Sequence, residues 1–198
     1  MAENTNKPLI RFKGYTDAWG QRKLGEVAEF NPRSILPDSF EYVDLESVVG
    51  TSLISRREES KDTAPSRAQR LAKRGDVFFQ TVRPYQQNNY LFDMSAENYV
   101  FSTGYAQLRP SIDSYFLLCL LQEDRFVAKV LDNCTGTSYP AINSTTLAEI
   151  EITVAVEIAE QAAVGRFFHT LDDQVTALST KIERLKELKA AYLQNIFV

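Results

Sequence analysis

The sequence has little of what catalytic and metal sites usually require. Histidine occurs once, at His169, and cysteine twice, at Cys119 and Cys134. So few thiol and imidazole groups exclude a disulfide framework and argue against a cysteine- or histidine-based metal site. The chain also lacks the G-x-G-x-x-G and G-x-x-x-x-G-K-[ST] patterns that bind nucleotide phosphates. No cofactor is therefore expected on this chain.

Long apolar runs are also missing. The longest, such as Tyr115 to Leu121, fall far short of the roughly 20 residues that a membrane span requires. Residues 1–7 contain no apolar core of a secretion signal. We therefore expect no membrane partner and a cytoplasmic location.

The charge is negative overall but uneven along the chain. The net charge is −4, which counts against general binding to nucleic acid. Between Arg56 and Arg83, however, eight basic residues outnumber four acidic ones. Phosphate binding needs only a local positive surface, so we expect Arg56, Arg57 and Lys73 to contact DNA, with Arg56 and Lys73 on phosphates. A solvated surface loop would explain the same charges.

Residues 1–156 have the pattern of a mixed α+β domain. Short β-branched and aromatic segments predict strands near 42–45, 75–82, 89–92, 99–102, 105–108 and 150–154. Apolar periodicity predicts helices over 114–122 and 124–131. Residues 51–69 are polar and are predicted to form a loop.

Residues 157–198 predict one long helix with a coiled-coil seam. Apolar residues recur in strict steps of four and three, which is the heptad pattern of helices that pair with other helices. A helix of about 40 residues is about 60 Å long, which outreaches a domain of this size. The alternative is an amphipathic helix lying on its own domain. The seam predicted to form a homodimer contains Phe168, Leu171, Val175, Leu178, Ile182, Leu185 and Tyr192.

Two polar segments are candidates for DNA contact, the first for reading bases and the second, with its glycine and small hydroxyls, for close approach to phosphate. Arginine suits guanine, and glutamine or asparagine suits adenine, through paired hydrogen bonds. The first segment offers Thr81, Arg83, Tyr85, Gln86, Gln87 and Asn88, and the second offers Thr137, Ser138, Tyr139 and Asn143. An ordinary polar loop and a tight turn are the alternatives.

One pattern imitates a nuclease site. Asp38, Glu59 and Lys61 formally match the P-D…E-x-K pattern, in which two carboxylates hold Mg²⁺ and a lysine lies near the attacking water. Such sites place the E-x-K element on an apolar core strand, whereas residues 56–62 are polar. A metal-dependent nuclease and a coiled-coil adaptor without DNA binding remain the alternative functions.

Several short motifs, taken in order, resemble the specificity subunits of type I restriction–modification systems. The resemblance covers nearly the whole chain and depends on the combined spacing of motifs that are each weak. They are RFKGY at 11–15 with Trp19, KLGEV at 23–27, GDVFF at 75–79, VRPY at 82–85, STGY at 102–105, GTSYP at 136–140, EQ at 160–161, GRFF at 165–168, LDD at 171–173 and LQNIF at 193–197.

The resemblance implies a non-catalytic subunit that recognises double-stranded DNA. Such subunits combine mixed α/β target-recognition domains with long helices that pair antiparallel. They place adenine methyltransferase subunits, which use S-adenosylmethionine, on the DNA, and separate ATP-driven restriction subunits translocate and cut. A full subunit has two recognition domains and two helices, whereas this sequence shows one of each. We therefore expect a half subunit that forms a homodimer.

Overall fold

The computed structural model describes residues 6–197, which form twelve strands, five α-helices and one 3₁₀ helix. In chain order they are β1 Gly20–Lys23, α1 Leu24–Val27, β2 Ala28–Phe30, β3 Ser39–Val43, β4 Val48–Val49, β5 Ser52–Leu53, β6 Arg57–Ser60, β7 Ala68–Leu71, β8 Val77–Gln80, the 3₁₀ helix Pro84–Gln86, β9 Tyr90–Leu91, β10 Tyr99–Ser102, β11 Tyr105–Pro110, α2 Ser114–Leu121, α3 Asp124–Asp132, α4 Ser144–Ala148, β12 Glu151–Val154 and α5 Ile158–Ile196.

Two four-stranded sheets make up the centre of the domain. The first has the order β6-β3-β10-β7, in which β10 runs parallel to β3 and antiparallel to β7. The second has the order β2-β11-β8-β9 and is antiparallel. Strands β10 and β11 follow each other directly, so the tight turn at Thr103 and Gly104 connects the two sheets.

Strand β8 shows how the core is layered. Successive side chains of a strand point to opposite faces, and here both faces are buried. Phe78 lies between the two sheets, where its ring stacks on Phe101 with centroids 3.7 Å apart. Phe79 points the other way, towards α2 and α3, and its ring meets Phe126 edge-on. The domain therefore has three layers, of which two are sheets and the third is helical.

Helix α2 begins at a well-made cap. The Asp113 carboxylate accepts a hydrogen bond from the backbone N–H of Phe116 at 2.8 Å, which satisfies one free donor of the first turn. The helix is apolar around most of its circumference and buries Phe116, Leu117, Leu118 and Leu121.

Helix α5 is packed at its base and exposed beyond it. Residues 160, 161 and 165 are buried, whereas every residue from 166 to 197 is exposed. The Glu160 carboxylate accepts hydrogen bonds from Arg11 at 2.6 and 2.7 Å and from the Trp19 indole at 3.2 Å. Gly165 lies so close to α2 that an added Cβ would be 2.5 Å from a carboxylate oxygen of Asp113. The domain therefore buries side chains in the first two turns of α5, contacts the helix as far as Asp172 through Tyr115, and leaves the part beyond projecting.

The predicted α+β class and the long C-terminal helix are confirmed. The predicted loop over 51–69 is wrong in part, because β5 and β6 lie within it. No helix among residues 6–197 is long and apolar enough to cross a membrane.

Candidate nucleic-acid interface

One end of the two sheets gathers most of the candidate residues, and we call it the loop end. The register places there the end of β3, the start of β6, the end of β8, the start of β7 and the β10–β11 turn. The turn is fixed in place because the Thr81 hydroxyl and backbone N–H both donate to the carbonyl of Gly104. Segments that are far apart in sequence therefore share one surface.

The loop of residues 81–89 has an unusual backbone. Arg83 and Gln87 both adopt left-handed conformations, with φ of 54° and 53°, on either side of the 3₁₀ helix Pro84–Gln86. Such conformations are uncommon for residues other than glycine and persist where surrounding contacts hold them. The loop is thus held in one defined shape.

The amide side chains of this loop provide those contacts. Gln86 accepts a hydrogen bond from buried Gln80 at 2.7 Å, and Asn88 accepts one from the backbone N–H of Gly50 at 2.9 Å. Gln87 donates to the carbonyl of Gln122, at the end of α2, at 3.1 Å. The three predicted base-reading amides therefore already have protein partners, and they brace the loop.

The second candidate segment is fastened to the first. The backbone N–H of Arg83 donates to the Pro140 carbonyl at 2.7 Å, and that of Ile142 donates to the Thr81 carbonyl at 3.0 Å. Asn143 caps α4 by accepting from the backbone N–H of Thr146 at 2.8 Å. Thr137 and Ser138 lie in the exposed part of this segment. The fold thus brings together two segments that the sequence separates by about 50 residues.

Arg83 has the surroundings of a cation without a protein counter-ion. Its guanidinium lies 5.6 Å from the ring centroid of Tyr139, a cation–π distance. Its Nε is buried and has no hydrogen-bond partner. Within residues 6–197 no ion pair involves Arg83. The adjoining Tyr85 and Tyr139 side chains are 49% and 69% exposed, so hydroxyl and aromatic surface surround this charge.

The two arginines at the start of β6 differ from Arg83. Arg57 forms ion pairs with Asp44 and Glu59, both at 2.8 Å, and Arg56 lies 3.3 Å from Glu41. Burial alone would raise the pKa of Asp44, but hydrogen bonds from Ser47 and Arg57 outweigh it and hold that pKa below its ordinary value. Both arginines thus lie at the loop end with their charge partly neutralised.

Lys73 is not brought to this surface. Strand β7 starts at the loop end and runs away from it, so the residues that follow β7 lie at the opposite end. There Gly75 contacts Ser114 at the start of α2. Of these three predicted DNA-binding residues, only Arg56 and Arg57 lie at the loop end.

Arg67 belongs to the loop end but was not predicted from the sequence. Its carbonyl accepts a hydrogen bond from the backbone N–H of Thr103 at 2.8 Å, which places it beside the β10–β11 turn. Its side chain is exposed, and the part of the chain that the structure describes supplies no ion pair to it. The only signal that could have identified it is its position in the basic segment 56–83.

The nuclease pattern does not assemble into a metal-binding cluster. Glu59 lies on edge strand β6 and its carboxylate pairs with Arg57, while the backbone N–H of Lys61 donates to the Asp38 carbonyl at 2.9 Å. Over residues 6–197, no group of three His, Cys, Asp or Glu side chains is placed to hold a metal ion.

The chain therefore combines a two-sheet domain, a braced loop surface at one end and a long helix that leaves near the other. Residues 16–189 match the family model described as the type I restriction modification DNA specificity domain. Because this match covers most of the chain, the protein belongs to that family.

Similar proteins agree with this assignment. The specificity subunit of type I restriction enzyme HindI from Haemophilus influenzae is 21% identical over 190 residues, covering 91% of this chain and 41% of that protein. The crystal structure of the HsdS subunit from Thermoanaerobacter tengcongensis is 27% identical, with a TM-score of 0.63 over 96% of this chain and 48% of that one. A structure from a study of complex assembly and conformational transition of the type I R-M system is also 27% identical. Its TM-score is 0.64, and the match covers 95% of this chain and 48% of that one. The chain thus spans about half the length of these relatives.

Proposed function

We propose that this chain reads one half-site of a type I restriction–modification target. It acts in the cytoplasm as a non-catalytic specificity component that positions adenine methyltransferase subunits on double-stranded DNA. S-adenosylmethionine and ATP bind to the modification and restriction subunits and not to this chain. The family membership supports the general role, and the loop end supports the reading surface.

The observation that carries the proposal is the joined pair of segments at the loop end. A base-reading surface needs donors held at fixed positions, because discrimination between bases depends on hydrogen-bond geometry. Residues 81–89 and 135–143 are fixed by backbone hydrogen bonds, while Arg83, Tyr85 and Tyr139 remain available beside them. We assign base contact to Arg83, and phosphate contact to Arg67 and to the hydroxyls of Thr137 and Ser138.

The exposed seam of α5 supports a homodimer. Val175, Leu178 and Leu185 are 61%, 60% and 55% exposed, although apolar residues at heptad spacing normally pack against a second helix. The described residues contain one such helix, so a second copy is the partner that offers a matching seam. A closed pair of identical chains has two-fold symmetry, and the target is therefore a palindrome.

The length of α5 limits the separation of the half-sites. Its 39 residues make a rod of about 58 Å at 1.5 Å per residue. At about 3.4 Å per base pair this is about 17 base pairs, which is an upper limit because the domains can lie beside the helices. The target is therefore two short half-sites around base pairs that are not read.

Methylation mapping tests this proposal. Genomic DNA is sequenced for methyladenine in cells that carry this chain as the only specificity component, together with the cognate modification subunit. We expect one palindromic, interrupted motif, and the same motif should be enriched from randomised duplex DNA in a gel-shift selection. An asymmetric or uninterrupted motif would overturn the symmetric reading. Absence of DNA binding at low salt would favour the adaptor alternative.

A further inference from the structure

Helix α2 spans the domain from the loop end to the base of α5, and Gln122 fastens its C-terminal end to the 81–89 loop. Gln122 and Gln87 each donate from the side-chain amide to the other's backbone carbonyl, at 3.0 and 3.1 Å. Asn89, which is buried, donates to the Gln122 side chain at 2.8 Å and accepts from the backbone N–H of Gln80 at 2.9 Å. The position of this loop is therefore tied to that of α2.

The N-terminal end of α2 is packed against the base of α5. The backbone N–H of Asp113 donates to the side chain of Gln161 at 3.2 Å. Gly165 brings the two helices close together, since a Cβ added there would lie 3.1 Å from the Phe116 nitrogen. The arm of residues 9–12 also contacts this base, through two hydrogen bonds and one edge-on pair of aromatic rings. These contacts together place the start of the long helix.

Tyr115 extends the contact between α2 and α5 by two turns. Its hydroxyl donates to the Asp172 carboxylate at 2.5 Å, and its ring centroid lies 4.7 Å from that of His169, one turn earlier on the same face. His169 lies 3.0 Å from Asp173 in turn. Burial and the bond to Asp172 raise the pKa of Tyr115, so the hydroxyl keeps its proton and remains a donor at neutral pH. The Tyr115 side chain thus contacts two residues of α5.

The separation of these contacts decides whether the direction of α5 is fixed. A rod that is held at one point can pivot, whereas a rod that is held at two separated points has a defined direction. Gln161 and Asp172 are 11 residues apart, which is about 16 Å at 1.5 Å per residue. Both are held by α2, whose own buried side chains fix it in the core. Without the Tyr115 contact, α2 would hold the helix only near its base.

We infer that the contact between Tyr115 and Asp172 fixes the direction of α5 relative to the 81–89 loop, so that Tyr115 sets how strictly the protein discriminates between spacer lengths. Tyr115 is a positioning residue, because it acts through α2 and α5 and not by touching DNA. The inference rests on the interrupted target of the proposed function and adds the residue that controls the tolerance of its spacing.

The length of the helix makes a small tilt matter. Helix α5 continues for 31 residues beyond Gly165, a rise of about 46 Å at 1.5 Å per residue. A tilt of about 4° at the base would displace the far end by about 3.2 Å, close to the rise of about 3.4 Å for one base pair. One added base pair also rotates a half-site by about 35°. A helix that can pivot follows both changes more easily than a fixed one.

Binding to duplexes with altered spacers tests the inference. Tyr115→Phe removes the hydroxyl and keeps the ring. Wild type and variant are titrated against duplexes that contain both half-sites with the preferred spacer, or with one base pair more or fewer. We expect the loss of affinity caused by the changed spacer to shrink at least about fivefold in the variant, because the bond to a charged group is lost. Affinity for the preferred spacer and for a single half-site should stay within about threefold of the wild type.

Variants of α5 provide the partner test and the control. Asp172→Ala should reproduce the effect of Tyr115→Phe, and the two changes together should add little, because either one removes the same contact. Glu187→Ala removes an exposed carboxylate farther along the same helix and should leave the spacer discrimination within about twofold of the wild type. Sedimentation and thermal melting check that each variant remains a folded dimer.

The outcomes separate this inference from the function on which it rests. If Tyr115→Phe discriminates between spacers as strictly as the wild type, the inference is wrong and the interrupted target stands. Equal weakening at every spacer would mean that Tyr115 has a structural role only, which also overturns the inference. If the wild type itself binds all spacers alike, both the inference and the proposed interrupted target fail.

Discussion

The domain and the projecting part of α5 use similar side chains in opposite ways. In the domain, Phe78, Phe79 and Phe101 have no exposed surface, because two sheets and a helical layer cover them. Beyond residue 165, α5 carries an apolar residue at almost every a and d position, and all of them are exposed. The chain itself buries the apolar residues of the domain, whereas the described residues leave those along α5 exposed.

Substitution of the seam leucines should have the largest effect, and it should change dimerisation far more than the stability of the domain. The triple variant Leu171→Gln, Leu178→Gln, Leu185→Gln removes six leucines from a dimer interface, and each buried leucine contributes about 1.5–3 kcal/mol. We expect the dissociation constant to rise by roughly a thousandfold or more, so that the variant sediments as a monomer at micromolar concentration. The melting temperature of the domain should change far less.

The control for this variant changes the outer face of the same helix. Asp173→Asn, Thr180→Ser and Glu187→Gln together should leave the dimer unchanged. If the leucine variant remained a dimer, the seam would not be the interface.

Arg83 should matter more for DNA than the arginine that is already paired. Loss of a paired base contact costs about 1–3 kcal/mol, so Arg83→Ala should weaken binding about ten- to a hundredfold and relax the preference at one base pair. Arg57→Ala should have a smaller effect, because Asp44 and Glu59 already partly neutralise that charge. Lys73→Ala, at the other end of the sheets, should have the least. Titration of fluorescent duplexes measures the three variants, and equal effects would contradict the assignment.

The junction between domain and helix should be sensitive to a single methyl group. In an exposed helix, replacing glycine by alanine stabilises by about 1 kcal/mol. At Gly165 we expect the opposite sign, since the new Cβ would lie 2.5 Å from the Asp113 carboxylate and 3.1 Å from the Phe116 nitrogen. Overpacking costs about 1–3 kcal/mol, so Gly165→Ala should lower the free energy of unfolding in urea. Gly20→Ala, where the nearest atom is 3.7 Å away, serves as the control.

The smallest expected effect is a pH dependence at the same junction. The hydrogen-bonded Arg11 guanidinium holds the pKa of Glu160 below its ordinary value. A carboxyl with a depressed folded-state pKa contributes stability above its unfolded pKa, about 4.3, and loses it as the pH falls through the folded value. The melting temperature of Arg11→Met should therefore lie below that of the wild type at pH 7, and the difference should shrink on acidification below about pH 5. A constant difference would mean that packing, and not charge, stabilises the arm.

The sequence predicts local patterns well and long-range pairings poorly. The heptad seam and the apolar strands are local, so the sequence predicts the long helix and six of the twelve strands, namely β3 and β8 to β12. Strand β6 was missed because Arg57, Glu58, Glu59 and Ser60 contain no apolar residue. It forms at the sheet edge by pairing with β3, and charged edge strands of this kind are common.

The same difference between local patterns and long-range pairings applies to the candidate site. The composition of residues 81–89 and 135–143 identified both segments as candidates for DNA contact. The hydrogen bonds between the two segments could not be predicted, because they depend on the tertiary structure. Sequence could not distinguish Gln86, Gln87 and Asn88, which brace the loop, from Arg83, which has no counter-ion among residues 6–197. Arg67 was missed because only the antiparallel pairing of β7 with β10 brings it to the loop end.

The way the loop end is fastened has a consequence for how such proteins acquire new targets. The two loops are joined to each other through backbone hydrogen bonds. The buried side chain of Gln80 holds the first loop from within, and that of Thr81 holds it to the β10–β11 turn. The outward side chains of Tyr85, Thr137 and Ser138 contribute little to the core. They can be exchanged by mutation at small cost in folding, so the DNA contacts that we propose for this surface can change while the scaffold and its helix stay the same.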